Sequence, residues 1–334
     1  MEKLLGFTIL SFFVTAICLV PFIDFLYKIK LQRKKQKTRD VFNRRTPLFD
    51  KMSDWKVGTP FGGGILVIAV VTFLTLFAYG ILQVEVRLWE IATLLFAFIG
   101  FGALGFYDDL KKILGGKTAQ FFGLRFKHKF IIQWILALAI GAILYMNGYD
   151  FVYIHWFGDV AIGALYILFA AFVIVSFVNA VNIADGLDGL SAGLFVICLI
   201  AFLAISENIL DPSMGLFTSI LLGSVAAFLY FNIYKARLWM GDVGALSFGA
   251  ALAVIGLLTG KTIAIGLIGG VFVIEIASSL IQILSKKFLK KKAFPVAPFH
   301  LYLLKRGWEE PKIVMRAWLL GMVFAIIGLY LALI

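Results

Sequence analysis

Between positions 159 and 205 the chain reads DVAIGALYILFAAFVIVSFVNAVNIADGLDGLSAGLFVICLIAFLAI. Two apolar runs, near 159–178 and 189–205, enclose a single polar island. Each run approaches the length of about 20 residues that an α-helix needs to cross a bilayer core. The same pattern recurs along the chain, near 4–27, 62–83, 89–107, 130–146, 214–231, 243–259, 262–285 and 313–334. Composition agrees: of 334 residues, 62% are hydrophobic and 15% charged, with mean hydropathy +0.98. A soluble domain would be roughly half apolar and about a quarter charged. Disordered and collagen-like chains are excluded by the abundance of Phe, Leu and Ile. The fold class is all-α: a polytopic integral membrane protein with about ten transmembrane helices, one domain over 1–334. No small-x-small cleavage pattern follows the first run, so it reads as a retained helix rather than a signal peptide. No period of 20–50 residues repeats.

The net charge of +12 is a topology signal. With ten crossings, all but three of the 31 Lys and Arg residues fall in or beside five connections on one side; Lys3, Arg87 and Lys261 are the exceptions. By the positive-inside rule those five connections are cytoplasmic and both termini extracytoplasmic. Such an excess attracts anionic lipids or phosphate groups, and nucleic acid is not the expected partner. Cys18 and Cys198 both lie in apolar runs, which argues against a disulfide framework or a thiolate metal site.

The cytoplasmic connections also hold nearly all the side chains able to do chemistry. In the first, Lys56-Val57-Gly58-Thr59-Pro60 leads into Phe61-Gly62-Gly63-Gly64, either a plain Pro-Gly turn or an anion site at a helix start. In the second, Asp108 and Asp109 project about 100° apart on a helix and so cannot chelate one ion symmetrically. One is expected to face a metal or substrate, the other Lys111, Lys112 or water. Lys129 precedes the fourth span. In the third, polar groups recur every third residue at Asn179, Asn182, Asp185 and Asp188. All four share a face only if the helix tightens or breaks, which Gly186 and Gly189 permit. The fourth carries Asn232 and Met240-Gly241-Asp242-Val243-Gly244, where Asp242 is either a helix cap or part of a shared Mg²⁺ site, since Mg²⁺ takes one or two carboxylates plus waters and phosphate oxygens. The fifth has Lys286, Lys287, Lys290, Lys291 and Lys292, which read as a headgroup-binding run, and then His300. Glu275 lies inside the ninth span, where an ionisable group is a functional candidate by default, and Gln282 follows on the same general face.

This constellation resembles the polyprenyl-phosphate N-acetylhexosamine-1-phosphate transferase superfamily, and within it the phospho-N-acetylmuramoyl-pentapeptide transferases. Five ordered motifs spread the resemblance over essentially the whole chain. They are Lys56 with Gly58-Thr59-Pro60, Asp108-Asp109 with Lys112, the Asn179–Gly189 segment, Met240–Gly244, and Gly307-Trp308-Glu310-Pro311 with Arg316 and Trp318. The chain departs from the pattern at Phe61 and Gly62, at Ala245, and at Leu301 and Tyr302, where the family carries two further histidines after the first.

The resemblance implies transfer of phospho-MurNAc-pentapeptide from UDP-MurNAc-pentapeptide to undecaprenyl phosphate, forming lipid I and UMP in a bacterial plasma membrane, with Mg²⁺ as cofactor. It assigns catalytic roles to Asp108, Asp109, Asp242 and His300, with Asp242 and Asp109 as metal ligands. Substrate contacts fall to Lys56, Thr59, Lys112, Lys129, Asn179, Asn182, Asp185, Asp188, Asn232 and Gln282. Two other readings stay open: a sister enzyme using UDP-GlcNAc, and a non-catalytic transporter or lipid-carrier binder. The polar residues cluster at one face rather than the bilayer midplane, which counts against a transporter. A homodimer is also left open. The orientation is testable by single-cysteine labelling in intact cells. Thr118→Cys is expected to react only from the cytoplasm and Asn147→Cys only from outside; outer-face labelling at 118 would invert the topology.

Overall fold

A computed structural model describes residues 2–32, 56–80, 84, 86–114, 126–154, 157–209 and 211–334. Most of the first basic connection and residues 115–125 therefore lie outside the described residues. The elements in chain order are α1 (Glu2–Lys28), α2 (Gly63–Gly80), α3 (Leu88–Leu114), α4 (Phe126–Met146), β1 (Phe151–Ile154), β2 (Gly158–Ala161) and α5 (Leu165–Ala184). They continue with α6 (Leu190–Asn208), α7 (Pro212–Asn232), α8 (Gly241–Leu258), α9 (Thr262–Ile268), α10 (Gly270–Leu284), α11 (Phe299–Lys305) and α12 (Glu310–Leu333). Among the described residues, nine helices are long and apolar enough to cross a membrane, ten if the bent pair α9–α10 counts as one span.

The apolar runs form helices because a backbone in hydrocarbon has to satisfy its own N–H and C=O groups. Which helix lies inside follows from what each can pack against. α8 is buried over 89% of its apolar window, whereas α1, α4 and α12 are buried over 28% and turn their other sides to lipid. α8 packs against α2, α3 and α5, while α1 lies along α7 and α6 joins α7 to α12. Phe248 of α8 stacks between Phe98 and Phe195, with ring centroids 6.1 and 5.0 Å away.

Apolar surface alone does not drive membrane helices together, so close packing at small residues and interhelical hydrogen bonds carry the association. Gly64 on α2 meets Gly244 on α8 backbone to backbone, and Gly105 on α3 sits against the Asp242 carbonyl. Ser247 donates to the Phe98 carbonyl at 2.6 Å, and Thr15 to Ser224 at 3.0 Å.

Two expected spans differ from the structure. The run at 159–178 is not a helix from its start: residues 158–161 pair antiparallel with 151–154, and the helix runs from Leu165 to Ala184. Val160, Ala161 and Ile162 are apolar, so hydropathy cannot separate this short hairpin from the helix that follows. At the other end the helix outlasts its apolar run, and Asn179 bonds back to the Val175 carbonyl at 2.8 Å, a local bond the helical backbone tolerates. The run at 262–285 is broken, bending by 81° between α9 and α10. The break falls at the Gly269-Gly270 pair, a recognised cause of kinks, where a Cβ on Gly269 would lie 2.5 Å from the Phe177 ring.

Replacing Gly105 by Ala forces its Cβ into the α8 backbone, whereas the nearest atom to a Cβ at Gly100 is 3.7 Å away on Leu136. Overpacking typically costs about 1–3 kcal/mol. Gly105→Ala is therefore expected to lower the thermal midpoint of the purified protein clearly, and Gly100→Ala to leave it nearly unchanged. Equal midpoints would show that the α3–α8 contact does not set stability.

Candidate active site

The motifs of the basic connections converge at one end of the bundle, where the C-terminal end of α3 meets the N-terminal ends of α4 and α8. Asp108, Asp109 and Lys112 come from α3, Lys129 from α4, and Asp242 from the first turn of α8. Lys112 Nζ lies 3.1 Å from Asp108 Oδ2, 3.3 Å from Asp109 Oδ1 and 2.9 Å from Asp242 Oδ2. Lys129 Nζ lies 3.2 Å from Asp108 Oδ2 and 2.5 Å from Asp242 Oδ2. The second oxygen of Asp109 accepts the Val243 N–H at 3.2 Å.

Lysine contact, expected for one aspartate of the pair, is made by both. Asp108 and Asp109 are both buried, and Lys112 serves both because i+3 and i+4 positions share one helix face. Lys111 instead holds its ammonium 5.1 Å from the Tyr107 ring. Asp242 lies inside the first turn of α8 rather than at its cap. Gly241 has φ +76, and a Cβ there would lie 2.9 Å from Asp109 Oδ2, so glycine is required both by its backbone and by the neighbouring carboxylate.

A second cluster adjoins the first. α5 ends at Ala184 and the chain turns through Asp185-Gly186-Leu187-Asp188-Gly189, the last with φ +77, before α6 begins. The every-third-residue pattern thus breaks at the glycines. Lys56, buried, reaches Asp188 Oδ1 at 3.1 Å, Glu310 Oε1 at 2.8 Å and the Gly186 carbonyl at 3.0 Å. Glu310 Oε1 also accepts the Asp188 N–H at 2.7 Å. Asn232 accepts from the Gly189 N–H at 3.1 Å and donates to the Leu238 carbonyl at 2.9 Å. Trp318 donates to the Gly189 carbonyl at 3.1 Å. A small cleft opens here, lined by Lys56, Asp185, Asp188, Asn232 and Trp239.

Asp185 stands between the clusters. Burial pushes its carboxyl well above the ordinary carboxylate range; the charges of Asp242 and Asp188 add to the rise and Lys56 opposes it.

Other site candidates take positions that spacing alone does not show. His300, buried, places Nδ1 3.0 Å from Glu275 Oε2, and its backbone N–H donates to Oε1 of the same carboxylate at 3.2 Å. Its Nε2 edge rests on Gly186, where a Cβ would lie 2.6 Å away. Gln282 holds a loop: it donates to the Phe294 carbonyl at 2.8 Å and accepts the Phe294 N–H at 2.9 Å. Asn179 donates to Gln133 at 2.9 Å, and Asn182 and Thr59 are half-buried. Sequence reasoning missed Glu310 as a partner of Lys56. An acidic residue in the first turn of a helix ordinarily reads as a dipole complement, and only its place in a shared motif pointed to more.

Three carboxylates and two lysines thus lie beside a second buried ion-pair network at one end of the bundle. In sequence comparisons the family model for glycosyl transferase family 4 matches residues 91–260. A phospho-N-acetylmuramoyl-pentapeptide-transferase of Geobacillus sp. (strain WCH70) is 34% identical over 97% of this chain and 96% of its own. One from Rickettsia felis is 37% identical over 90% of this chain and 86% of its own, and one from Rickettsia canadensis is 38% identical over 82% and 80%. The chain belongs to the phospho-N-acetylmuramoyl-pentapeptide-transferase family.

The Lys56–Glu310 contact yields a stability test. Breaking a buried ion pair from one side typically costs about 3–5 kcal/mol, while replacing both partners costs far less. Glu310→Ala and Lys56→Met are each expected to destabilise the protein strongly, and the double variant by less than their sum. Strict additivity in thermal unfolding would show that the pair is energetically uncoupled.

Proposed function

We propose that this chain transfers phospho-MurNAc-pentapeptide from UDP-MurNAc-pentapeptide to undecaprenyl phosphate at the cytoplasmic face of the bacterial plasma membrane, forming lipid I and releasing UMP. The observation that carries this reading is the Asp108–Asp109–Asp242 group with Lys112 and Lys129 at the end of the bundle. An oxygen of the lipid phosphate attacks the sugar-bearing phosphorus of the donor, and that phosphorus releases UMP with the electron pair of the bond that breaks. The acceptor has a second pKa of about 6 and is mostly dianionic at neutral pH. It needs no strong base, so Asp108 orients the lysines rather than removing a proton. The difficulty is electrostatic: an anion has to approach a diphosphate while charge grows on the leaving UMP.

Lys112 and Lys129 supply fixed positive charge for the phosphoryl oxygens, and the carboxylates hold both ammonium groups in place within a buried setting that strengthens their field. The donor set also suits Mg²⁺, a hard cation that takes carboxylate oxygens and leaves positions for substrate phosphates. Among the described residues no group of three acids or histidines converges in ligand geometry. Yet the Lys112 ammonium lies within 3.3 Å of three carboxylates, which marks a point where a cation is stabilised. Asp109 and Asp242 would hold the ion. When bound, Mg²⁺ would neutralise charge on the phosphoryl oxygens.

The cleft beside Lys56, Asp185, Asp188 and Asn232 adjoins this group and would receive the nucleotide-sugar, with Thr59, Asn179 and Asn182 on the elements that frame it. Gln282 acts on substrate through the loop it pins. His300, held by Glu275 against Gly186, would stiffen the turn that carries Asp185.

The test is UMP release by purified protein with undecaprenyl phosphate. Turnover is expected with UDP-MurNAc-pentapeptide and Mg²⁺, to stop on chelation, and to fall at least about a thousandfold in Asp242→Asn while the protein still inserts and folds. Normal turnover by Asp242→Asn would overturn the metal assignment. Turnover with UDP-GlcNAc but not with the muramoyl donor would overturn the donor, and silence with every donor would favour a lipid-carrier binder.

A further inference from the structure

The lysine run after α10 plays no part in the site just described. Residues 285–298 contain Lys286, Lys287, Lys290, Lys291 and Lys292 and no Asp or Glu. A π-helical turn, Ser285–Leu289, continues α10, and the backbone reverses at Lys290, whose φ is 55. The returning strand of the loop is held down. Ser285 Oγ donates to the Lys291 carbonyl at 2.9 Å, and Gln282 makes both of its bonds to Phe294. Ser285 and Gln282 are themselves buried. The segment is therefore a built projection.

Its surface is two-sided in chemistry. Phe288 and Leu289 are each 69% exposed and prolong the exposed face of α10 made by Leu280, Ile281 and Leu284. Lys287, Lys290, Lys291 and Lys292 are exposed around them, with Lys287 Nζ 5.3 Å from the Phe288 ring. A solvated charge run has no need of two large apolar side chains beside it. Apolar side chains continuous with a lipid-facing helix, ringed by ammonium groups, match the boundary between acyl chains and headgroups.

We infer that this projection is a binding site for anionic phospholipid headgroups, with Phe288 and Leu289 in the acyl boundary and Lys287, Lys290, Lys291 and Lys292 at the headgroup phosphates. Charge complementarity selects the occupant. Clustered lysines at a membrane surface attract anionic lipids over zwitterionic ones, and no carboxylate within the segment competes for them. The inference does not depend on which reaction the carboxylate site performs. Through Gln282 and Phe294 the projection is tied to the loop that leads to His300, so bound headgroups would gather at the mouth of the site.

A polyprenyl phosphate shares the phosphate chemistry, and the experiment separates the two sources. The purified full-length protein is mixed in detergent with phosphatidylglycerol and phosphatidylcholine, and separately with a short-chain polyprenyl phosphate, and retained lipid is counted by native mass spectrometry. The parent is expected to prefer phosphatidylglycerol at least tenfold, with the preference shrinking as salt rises. Changing Lys287, Lys290, Lys291 and Lys292 together to Gln is expected to bring the preference close to parity and leave polyprenyl phosphate retention within twofold. Lys291→Glu alone is expected to reduce the preference at least threefold, which keeps the test decisive should the quadruple variant not fold. An unchanged phosphatidylglycerol preference in these variants would overturn the inference. So would loss of polyprenyl phosphate with phosphatidylglycerol retained, because the run would then belong to the substrate site.

Discussion

Two buried aspartates and a third, half-buried one at the ends of membrane helices would repel one another and lose hydration, and the cluster holds together because two lysines sit among them. Lys112 alone touches the carboxylates of Asp108, Asp109 and Asp242. An ionisable group at membrane depth has to find a counter-charge or a water-filled cavity. Here the counter-charges come from α3 itself and from α4, so the aspartate of α8 is drawn to the same point as the pair on α3. That requirement draws the ends of α3, α4 and α8 to one point.

The approach is possible only because the backbones can come close. Gly105 faces the Asp242 carbonyl and Gly64 faces Gly244, so α2 and α3 both reach α8 without intervening side chains. Short interaxial distances bring short side chains into contact, and aspartate is a short side chain. A Cβ at Gly241 would crowd Asp109. The glycines and the charges are thus one design, since relaxing the packing would pull the carboxylates from their shared ammonium and leave buried charge unpaired.

Much of this was legible in the sequence, and what was not has physical reasons. Apolar length located nearly all the spans because the bilayer thickness imposes it. The Asn179–Gly189 island showed itself because four polar side chains between two spans are costly without a role. The β1–β2 hairpin was hidden, since Val160 and Ala161 carry the hydropathy of the helix beyond them. The 100° separation of Asp108 and Asp109 does not show the sharing of Lys112, whose long side chain serves both positions from one helix face. The pairing of Lys56 with Glu310 joins residues 254 positions apart, and no local pattern encodes it. The resemblance makes Gln282 a substrate contact, and in the fold a loop backbone meets both of its hydrogen-bonding groups.

The departures from the family pattern at Leu301 and Tyr302 follow a histidine that buried contacts hold from two sides. His300 is fixed through Glu275 and by its seat on Gly186. Leu301 is buried beside it and contributes packing. Tyr302 stacks on Phe299 with centroids 6.2 Å apart and accepts from Arg306 Nε at 2.8 Å. A guanidinium stays charged at any physiological pH, and this one is held at the exposed end of α11 by the phenolic oxygen. The chain therefore holds a guanidinium beside Tyr302, at the opposite end of α11 from the histidine that touches the Asp185–Gly189 turn. Position 300 is constrained from two sides by buried contacts. Leu301 packs against the bundle, and Tyr302 ties Arg306 to the end of α11.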